Sequence, residues 1–118
     1  MSINIPHGFR FAGVHCGIKR SAEKPDVTLV VADQPVTAAG VYTQNRIFAA
    51  PVQLDRERTP NGRTRAVVVN SGNANACTGP QGLDDARAMC AMVADACQLT
   101  PESVLVMSTG IIGVPLPM

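Results

Sequence analysis

The chain has 118 residues, of which 46% are hydrophobic, and a formal net charge of +1, so it can form one small domain with its own core. We predict a single domain over residues 1–118. Charged residues make up 16% of the chain and aromatic residues 3%, which excludes a basic, aromatic-rich surface for nucleic acid. No apolar run can span a bilayer and no signal-peptide pattern is present, so we expect a cytoplasmic protein with neither a nucleic-acid nor a membrane partner.

The first half of the chain predicts mainly strands. Residues 9–18 alternate in character and predict a strand with a glycine kink. Residues 26–32 are rich in β-branched side chains and predict a second strand, and residues 37–43 predict a third. Residues 51–54 predict a short extended segment, and Pro-Asn-Gly at residues 60–62 predicts a turn.

The second half predicts a strand–helix–strand unit. Residues 65–70 and 104–107 are short apolar runs typical of buried strands. Residues 82–98 predict a helix, because apolar side chains recur there at steps of three and four. If the two strands run parallel across this helix, the polar segments that follow them, residues 70–79 and 108–113, lie at the same end of the sheet. This order of elements indicates an α/β sandwich layer rather than a doubly wound sheet.

Residues 108–113, Ser-Thr-Gly-Ile-Ile-Gly, have the composition of a turn that ends a strand. Gly110 and Gly113 permit backbone conformations closed to other residues. The Thr109 hydroxyl and the peptide N–H groups around Gly110 can then point at one spot, where they suit a negative charge developing on oxygen. The alternative interpretation is a tight turn without chemistry.

The preceding polar segment, residues 70–79, is dense in short side chains that carry amides and hydroxyls. Asn70, Ser71, Asn73 and Asn75 are its candidate functional residues. They can orient a substrate or brace the 108–113 segment. Alternatively, they form a loop that satisfies its own hydrogen bonds through Asx-turns.

Cys77 is the candidate nucleophile within this segment, because a nearby helix N-terminus lowers a thiol pKa. It needs a histidine base, and nothing in the sequence places His7 or His15 beside it. Cys90 and Cys97 fall on the apolar helix face and are expected in the core. The four cysteines show neither a CxxC pair nor metal-ligand spacing, so we predict free thiols and no metal site.

Residues 69–79, Val-Asn-Ser-Gly-Asn-Ala-Asn-Ala-Cys-Thr-Gly, together with residues 108–113, resemble the bifunctional ornithine acetyltransferase (glutamate N-acetyltransferase) family. Residues 8–19 and 39–45 also match its pattern, so the resemblance covers essentially the whole chain. It implies a layered α/β sandwich similar to that of N-terminal-nucleophile hydrolases. On this pattern the chain is the N-terminal part of the family's α chain, and the fold is incomplete in it.

The resemblance also implies a function. Enzymes of this family move an acetyl group from N2-acetylornithine to glutamate in arginine biosynthesis. Many also accept acetyl-CoA as a co-substrate, and no other cofactor is expected. The precursor cleaves itself before a threonine, which opens the β chain and becomes the acetyl-accepting nucleophile. The assembly is a cytoplasmic α2β2 heterotetramer.

Thr109 and Gly110 match the oxyanion-hole pair of this family. The nucleophilic threonine and the main substrate-binding residues are expected beyond Met118, in the continuation of the α chain and in the partner β chain. We therefore expect a fragment that is inactive alone. The alternative is a non-catalytic domain that binds a small anionic ligand or a protein partner through residues 70–79 and 108–113.

Overall fold

The computed structural model describes residues 4–118, which form one mixed sheet with helices packed on it. The strands are β1 (Phe9–Val14), β2 (Val27–Ala38), β3 (Asn61–Asn73) and β4 (Val104–Ile111), and they lie in the order β1-β2-β3-β4. Helix α1 spans Ala50–Arg58, helix α2 spans Gly79–Cys97, and a 3-10 turn spans Pro101–Ser103. β1, β2 and β3 pair antiparallel, whereas β3 and β4 pair parallel across α2, which is the arrangement that brings the two polar segments together.

The core lies between one face of the sheet and the two helices. Val68 of β3 stands between Leu29 of β2 and Val106 of β4, and the next row has the same apolar character. Helix α2 meets these rows with small side chains, among which Ala86 and Cys90 are fully buried. The core is therefore built from Val, Leu and Ala, as a chain poor in aromatic residues requires.

The opposite face of the sheet is also apolar, but no helix within residues 4–118 packs on it. Alternation along the strands places Val67 and Leu105 there, together with Phe11 and Met107. Phe11 is 51% exposed and Met107 is 55% exposed. The described chain is thus a two-layer α/β unit with one open apolar face. No helix within residues 4–118 has both the length and the apolar character needed to cross a membrane.

Four predictions in the first half are wrong in detail. The turn predicted at residues 60–62 is not formed as such, because β3 already begins at Asn61. β1 ends at Val14 instead of reaching residue 18, and β2 continues through Pro35 to Ala38, so residues 37–43 form no separate strand. A register shift between Val31 and Val36 accommodates the proline, which cannot donate to a regular ladder. Residues 51–54 lie inside α1 rather than in an extended segment, because Pro51 suits a first helical turn and Leu54 is buried in the core.

Both polar segments of the second half begin as strand, contrary to the prediction of loops. β3 continues to Asn73 and β4 continues to Ile111, so the predicted turn at residues 108–113 starts only beyond Ile111. Ser71 lies opposite Thr109 and Gly72 opposite Gly110 in the parallel ladder. Cross-strand hydrogen bonding therefore overrides a local composition that favours turns.

The tight start of α2 makes Gly82→Ala a test of the packing. A Cβ at Gly82 lies 1.9 Å from Oγ1 of Thr78 and 2.5 Å from Oδ1 of Asn75, and those two atoms are hydrogen-bonded to each other at 2.7 Å. We expect Gly82→Ala to lower the free energy of unfolding by about 1–3 kcal/mol, although alanine is the better helix former.

Urea unfolding followed by circular dichroism measures this change. Gly62→Ala is the matched control, because a Cβ there meets no atom within 4 Å. Its effect should stay within about 0.5 kcal/mol. Equal stability of the Gly82→Ala variant and the parent chain contradicts the packing described here.

Candidate active site

The parallel pairing of β3 and β4 brings the two polar segments to one end of the sheet. Asn70 lies opposite Ser108, and the next two pairs are Ser71 with Thr109 and Gly72 with Gly110. The prediction that both segments meet at one place is therefore confirmed, although they meet as paired strands.

Asn70 ties the two strands together at this end. Its side chain is completely buried, and its Nδ2 donates to the carbonyl oxygen of Asn73 at 2.8 Å. The Ser108 hydroxyl donates to Oδ1 of the same amide. Both polar atoms of the amide are thus used within the protein, which favours a bracing role.

Asn73 and Asn75 continue the same network beyond the sheet. Nδ2 of Asn73 donates to the carbonyl oxygens of Val114 and Pro115 at 2.9 and 3.1 Å. Its Oδ1 accepts from the Asn75 N–H at 2.8 Å. Nδ2 of Asn75 donates to the carbonyl oxygen of Gly82 at 2.7 Å, which joins the network to the start of α2. The chain after β4 and the N-terminus of α2 are therefore fixed to the end of β3.

The backbones of β3 and β4 approach each other very closely at Gly72 and Gly110. Gly110 has φ of +137°, and a Cβ built on it lies 2.2 Å from the Gly72 carbonyl carbon. Asn73 pairs with both Thr109 and Ile111, so the ladder is bulged at Gly110. Thr109 and Gly110 are both exposed. A bulge can redirect a neighbouring group, and this one leaves Thr109 and Gly110 at an accessible strand end.

Neither histidine of the described chain lines the depression beside Cys77. Cys77 is exposed, and it borders a depression of about 340 Å³ lined by residues that include Arg46, Phe48 and Leu83 but no histidine of residues 4–118. Nδ1 of His15 lies 3.1 Å from Asp26 instead. The geometry gives no support to a Cys–His pair.

The two cysteines of α2 lie in or against the core. Cys90 is fully buried in the core, as predicted, and Cys97 is half-buried against it. Within residues 4–118, no three His, Cys, Asp or Glu side chains are grouped to hold a metal ion.

A cavity of about 550 Å³ lies along the edge of β4, between residues 38–43 and α1. Asp55 of α1 lines it and accepts a hydrogen bond from the Val106 N–H at 3.1 Å. Burial raises the pKa of the Asp55 carboxyl to about 6, although the Val106 N–H and the Arg58 charge act in the opposite direction. Sequence reasoning missed Asp55, because it treated the start of α1 as extended; the signal available was Pro51 followed by charged residues.

Comparison with known proteins decides the family. The ArgJ family model matches residues 10–118. The chain belongs to the ArgJ family. It is 55% identical over 114 residues to the arginine biosynthesis bifunctional protein ArgJ of Rhodopirellula baltica, a match that covers 97% of this chain and 28% of that protein. The chain therefore spans less than a third of this curated ArgJ relative.

Two solved structures have the same fold. The crystal structure of ArgJ from Bacillus halodurans matches with a TM-score of 0.88 and 43% identity, over 95% of this chain and 58% of that one. The ornithine acetyltransferase of Mycobacterium tuberculosis, crystallised with ornithine, matches with a TM-score of 0.87 and 46% identity, over 96% of this chain and 61% of that one. The family and the α/β fold class expected from the sequence are both confirmed.

The raised pKa of Asp55 predicts a pH-dependent stability. The pKa of this carboxyl is raised from 3.8 to about 6 in the folded state, so its ionisation disfavours folding. The free energy of unfolding should therefore fall as the pH rises from about 4 to above 6. Asp55→Asn keeps an oxygen for the Val106 N–H but cannot ionise. We expect it to be more stable than the parent chain at pH 8, by about 1–2 kcal/mol after allowing for solvent screening.

Urea unfolding at pH 4 and pH 8 measures the effect, and the two proteins should differ least at pH 4. Asp95→Asn, at an exposed position on α2, is the matched control, and its difference in stability from the parent chain should not change with pH. If the stabilities of Asp55→Asn and the parent chain differ by the same amount at pH 4 and pH 8, the raised pKa of Asp55 is contradicted.

Proposed function

We propose that this chain is the N-terminal part of an ArgJ acetyltransferase that moves an acetyl group from N2-acetylornithine to glutamate. The observation that carries the proposal is the family match over residues 10–118. It is supported by the relative crystallised with ornithine under the name ornithine acetyltransferase. Acetyl-CoA is a possible second acetyl donor, and no other cofactor is proposed.

The proposed reaction proceeds in two acyl transfers through an acetyl-threonine. The nucleophilic threonine opens a β chain released by self-cleavage and lies beyond residue 118. Its hydroxyl adds to the acetyl carbonyl, the oxyanion collapses, and the amine of ornithine leaves with a proton. The amine of glutamate then attacks the acetyl-threonine and frees the hydroxyl again. The proposed assembly is a cytoplasmic α2β2 heterotetramer.

The role proposed for this chain is to stabilise the oxyanion in both steps. Thr109 donates through its hydroxyl or N–H, and Gly110 donates through its N–H. The support is that both residues are exposed at the bulged end of β4, beside the Asn70–Ser108 hydrogen bond and the Gly72–Gly110 contact. Donors held in place before the reaction need no reorganisation during it, which is why such sites are effective.

A second candidate function is a non-catalytic module that binds a small anionic ligand or a protein partner through the same segments. One observation favours it: within residues 4–118, the depression around the candidate nucleophile Cys77 is lined by no histidine.

An acetyl-transfer assay separates the two functions. The 118-residue chain is compared with a completed chain, in which residues 1–118 are joined to the C-terminal remainder of the Rhodopirellula baltica relative. We expect transfer from N2-acetylornithine to glutamate in the completed chain and none in the shorter one. Activity in the shorter chain contradicts a nucleophile beyond residue 118, and a folded but inert completed chain favours the binding module.

Thr109→Ala in the completed chain tests the oxyanion role. We expect kcat to fall about 10²-fold with KM within about twofold, because the lost interaction belongs to the transition state. Thr109→Ser restores a hydroxyl, and Thr100→Ala removes an exposed threonine elsewhere as a control. A raised KM with unchanged kcat assigns Thr109 to substrate binding instead.

A further inference from the structure

A buried carboxylate lies behind the Gly72–Gly110 contact, in the segment that joins β1 to β2. Asp26 precedes β2, and its side chain has no solvent exposure. It accepts hydrogen bonds from the N–H groups of Cys16 at 2.7 Å and Lys19 at 2.9 Å. These bonds fold residues 15–19 around a single carboxylate.

Two further groups surround the same carboxylate. The Cys16 thiol donates to it at 3.3 Å, and Nδ1 of His15 lies 3.1 Å from it. Burial by itself raises the pKa of the Asp26 carboxyl. The N–H groups of Lys19 and Cys16, the thiol and His15 outweigh that effect and hold the pKa below its usual range. The carboxylate is therefore ionised at neutral pH and can accept all of these bonds.

The segment held by Asp26 packs directly on Gly72. A Cβ at Gly72 lies 3.1 Å from Cγ2 of Ile18 and 3.1 Å from Cγ of Lys19. The carbonyl oxygen of Asp26 also accepts a hydrogen bond from the Ser71 N–H at 2.8 Å. Asp26 thus constrains the end of β3 twice, through its own backbone and through residues 15–19.

Gly72 is in turn in close contact with Gly110, on the neighbouring strand. A Cβ at Gly110 lies 2.2 Å from the Gly72 carbonyl carbon. Gly72 is therefore in contact with Ile18 and Lys19 and with Gly110. A displacement of Gly72 therefore changes its contacts with Ile18 and Lys19 as well as its contact with Gly110.

We propose that Asp26 is a positioning residue for acetyl transfer, which holds residues 15–19 against Gly72 and thereby fixes Gly110 and Thr109 at the end of β4. This inference rests on the proposed function. Asp26 is buried, and its effect reaches Gly110 through residues 15–19 and the end of β3. Its loss loosens the donors without removing them, so the chemical step suffers more than substrate binding.

The test is Asp26→Asn in the completed chain. Asparagine has nearly the same shape but only one accepting oxygen, and its NH₂ group faces an N–H donor of Cys16 or Lys19. We expect kcat to fall about 10-fold with KM within about twofold. Asp33→Asn is the matched control, since Asp33 lies on β2 in an exposed ion pair with Arg10, and it should leave both constants unchanged.

A double-mutant cycle distinguishes positioning from a general loss of structure. If Asp26 positions the Thr109 hydroxyl together with the Gly110 N–H, Asp26→Asn should lower kcat by a clearly smaller factor in a Thr109→Ala background than in the parent background. A purely structural role lowers kcat by the same factor in both backgrounds, and that result overturns the proposal. If Asp26→Asn does not fold, Ile18→Ala replaces it in the same cycle, because Ile18 is half-buried. The expected coupling is the same, and an equal fall in kcat in both backgrounds again overturns the proposal.

The two proposals fail in different ways. An unchanged kcat in Thr109→Ala contradicts an oxyanion role for the Thr109 hydroxyl. A normal kcat in Asp26→Asn, when Thr109→Ala has lost activity, contradicts only the positioning role.

Discussion

The parallel pairing of β3 with β4 is the constraint on which the rest of the site depends. A parallel pair needs a crossover, which α2 provides, and it brings both polar segments to the same end of the sheet. The two backbones then approach so closely at Gly72 and Gly110 that no side chain fits between them. The close contact and the bulge both lie within this one pairing, and Thr109 is exposed at its end.

Buried amides make that end of the sheet rigid. Three asparagines there have little or no exposed surface: Asn70, Asn73 and Asn75. Their side-chain amides are hydrogen-bonded to backbone or hydroxyl groups of the protein. Within residues 4–118, no fully buried side-chain nitrogen or oxygen atom lacks a partner. A buried polar network stabilises one arrangement only when all its members are satisfied, and this network meets that condition. The short polar side chains whose sequence is typical of a loop therefore hold neighbouring segments together through buried hydrogen bonds.

Much of the architecture could be predicted from local patterns. The β-branched run at residues 26–32, the apolar periodicity of residues 82–98 and the two apolar runs around that helix identified the elements correctly. The parallel pairing of the last two strands was a condition in the sequence reasoning, and the structure meets it. Local patterns failed where long-range contacts decide the structure. Residues 71–73 and 108–111 have turn composition, but they pair with each other as neighbouring strands. Residues 51–54 are helical, and Leu54 is buried in the core.

The sequence alone determined the α/β class and the family, because these depend on periodicity and on a long motif read directly from the chain. The tertiary structure decided that the two strands run parallel and that the two polar segments meet. Only the tertiary structure decided what Asp26 and Asp55 do. Each is a single acidic residue, and no local pattern identifies the groups that its carboxylate meets. Asp26 is enclosed by donors from residues 15–19, and Asp55 meets the backbone of β4, which is distant in the sequence. Such roles arise from packing between separated segments, which no local pattern encodes.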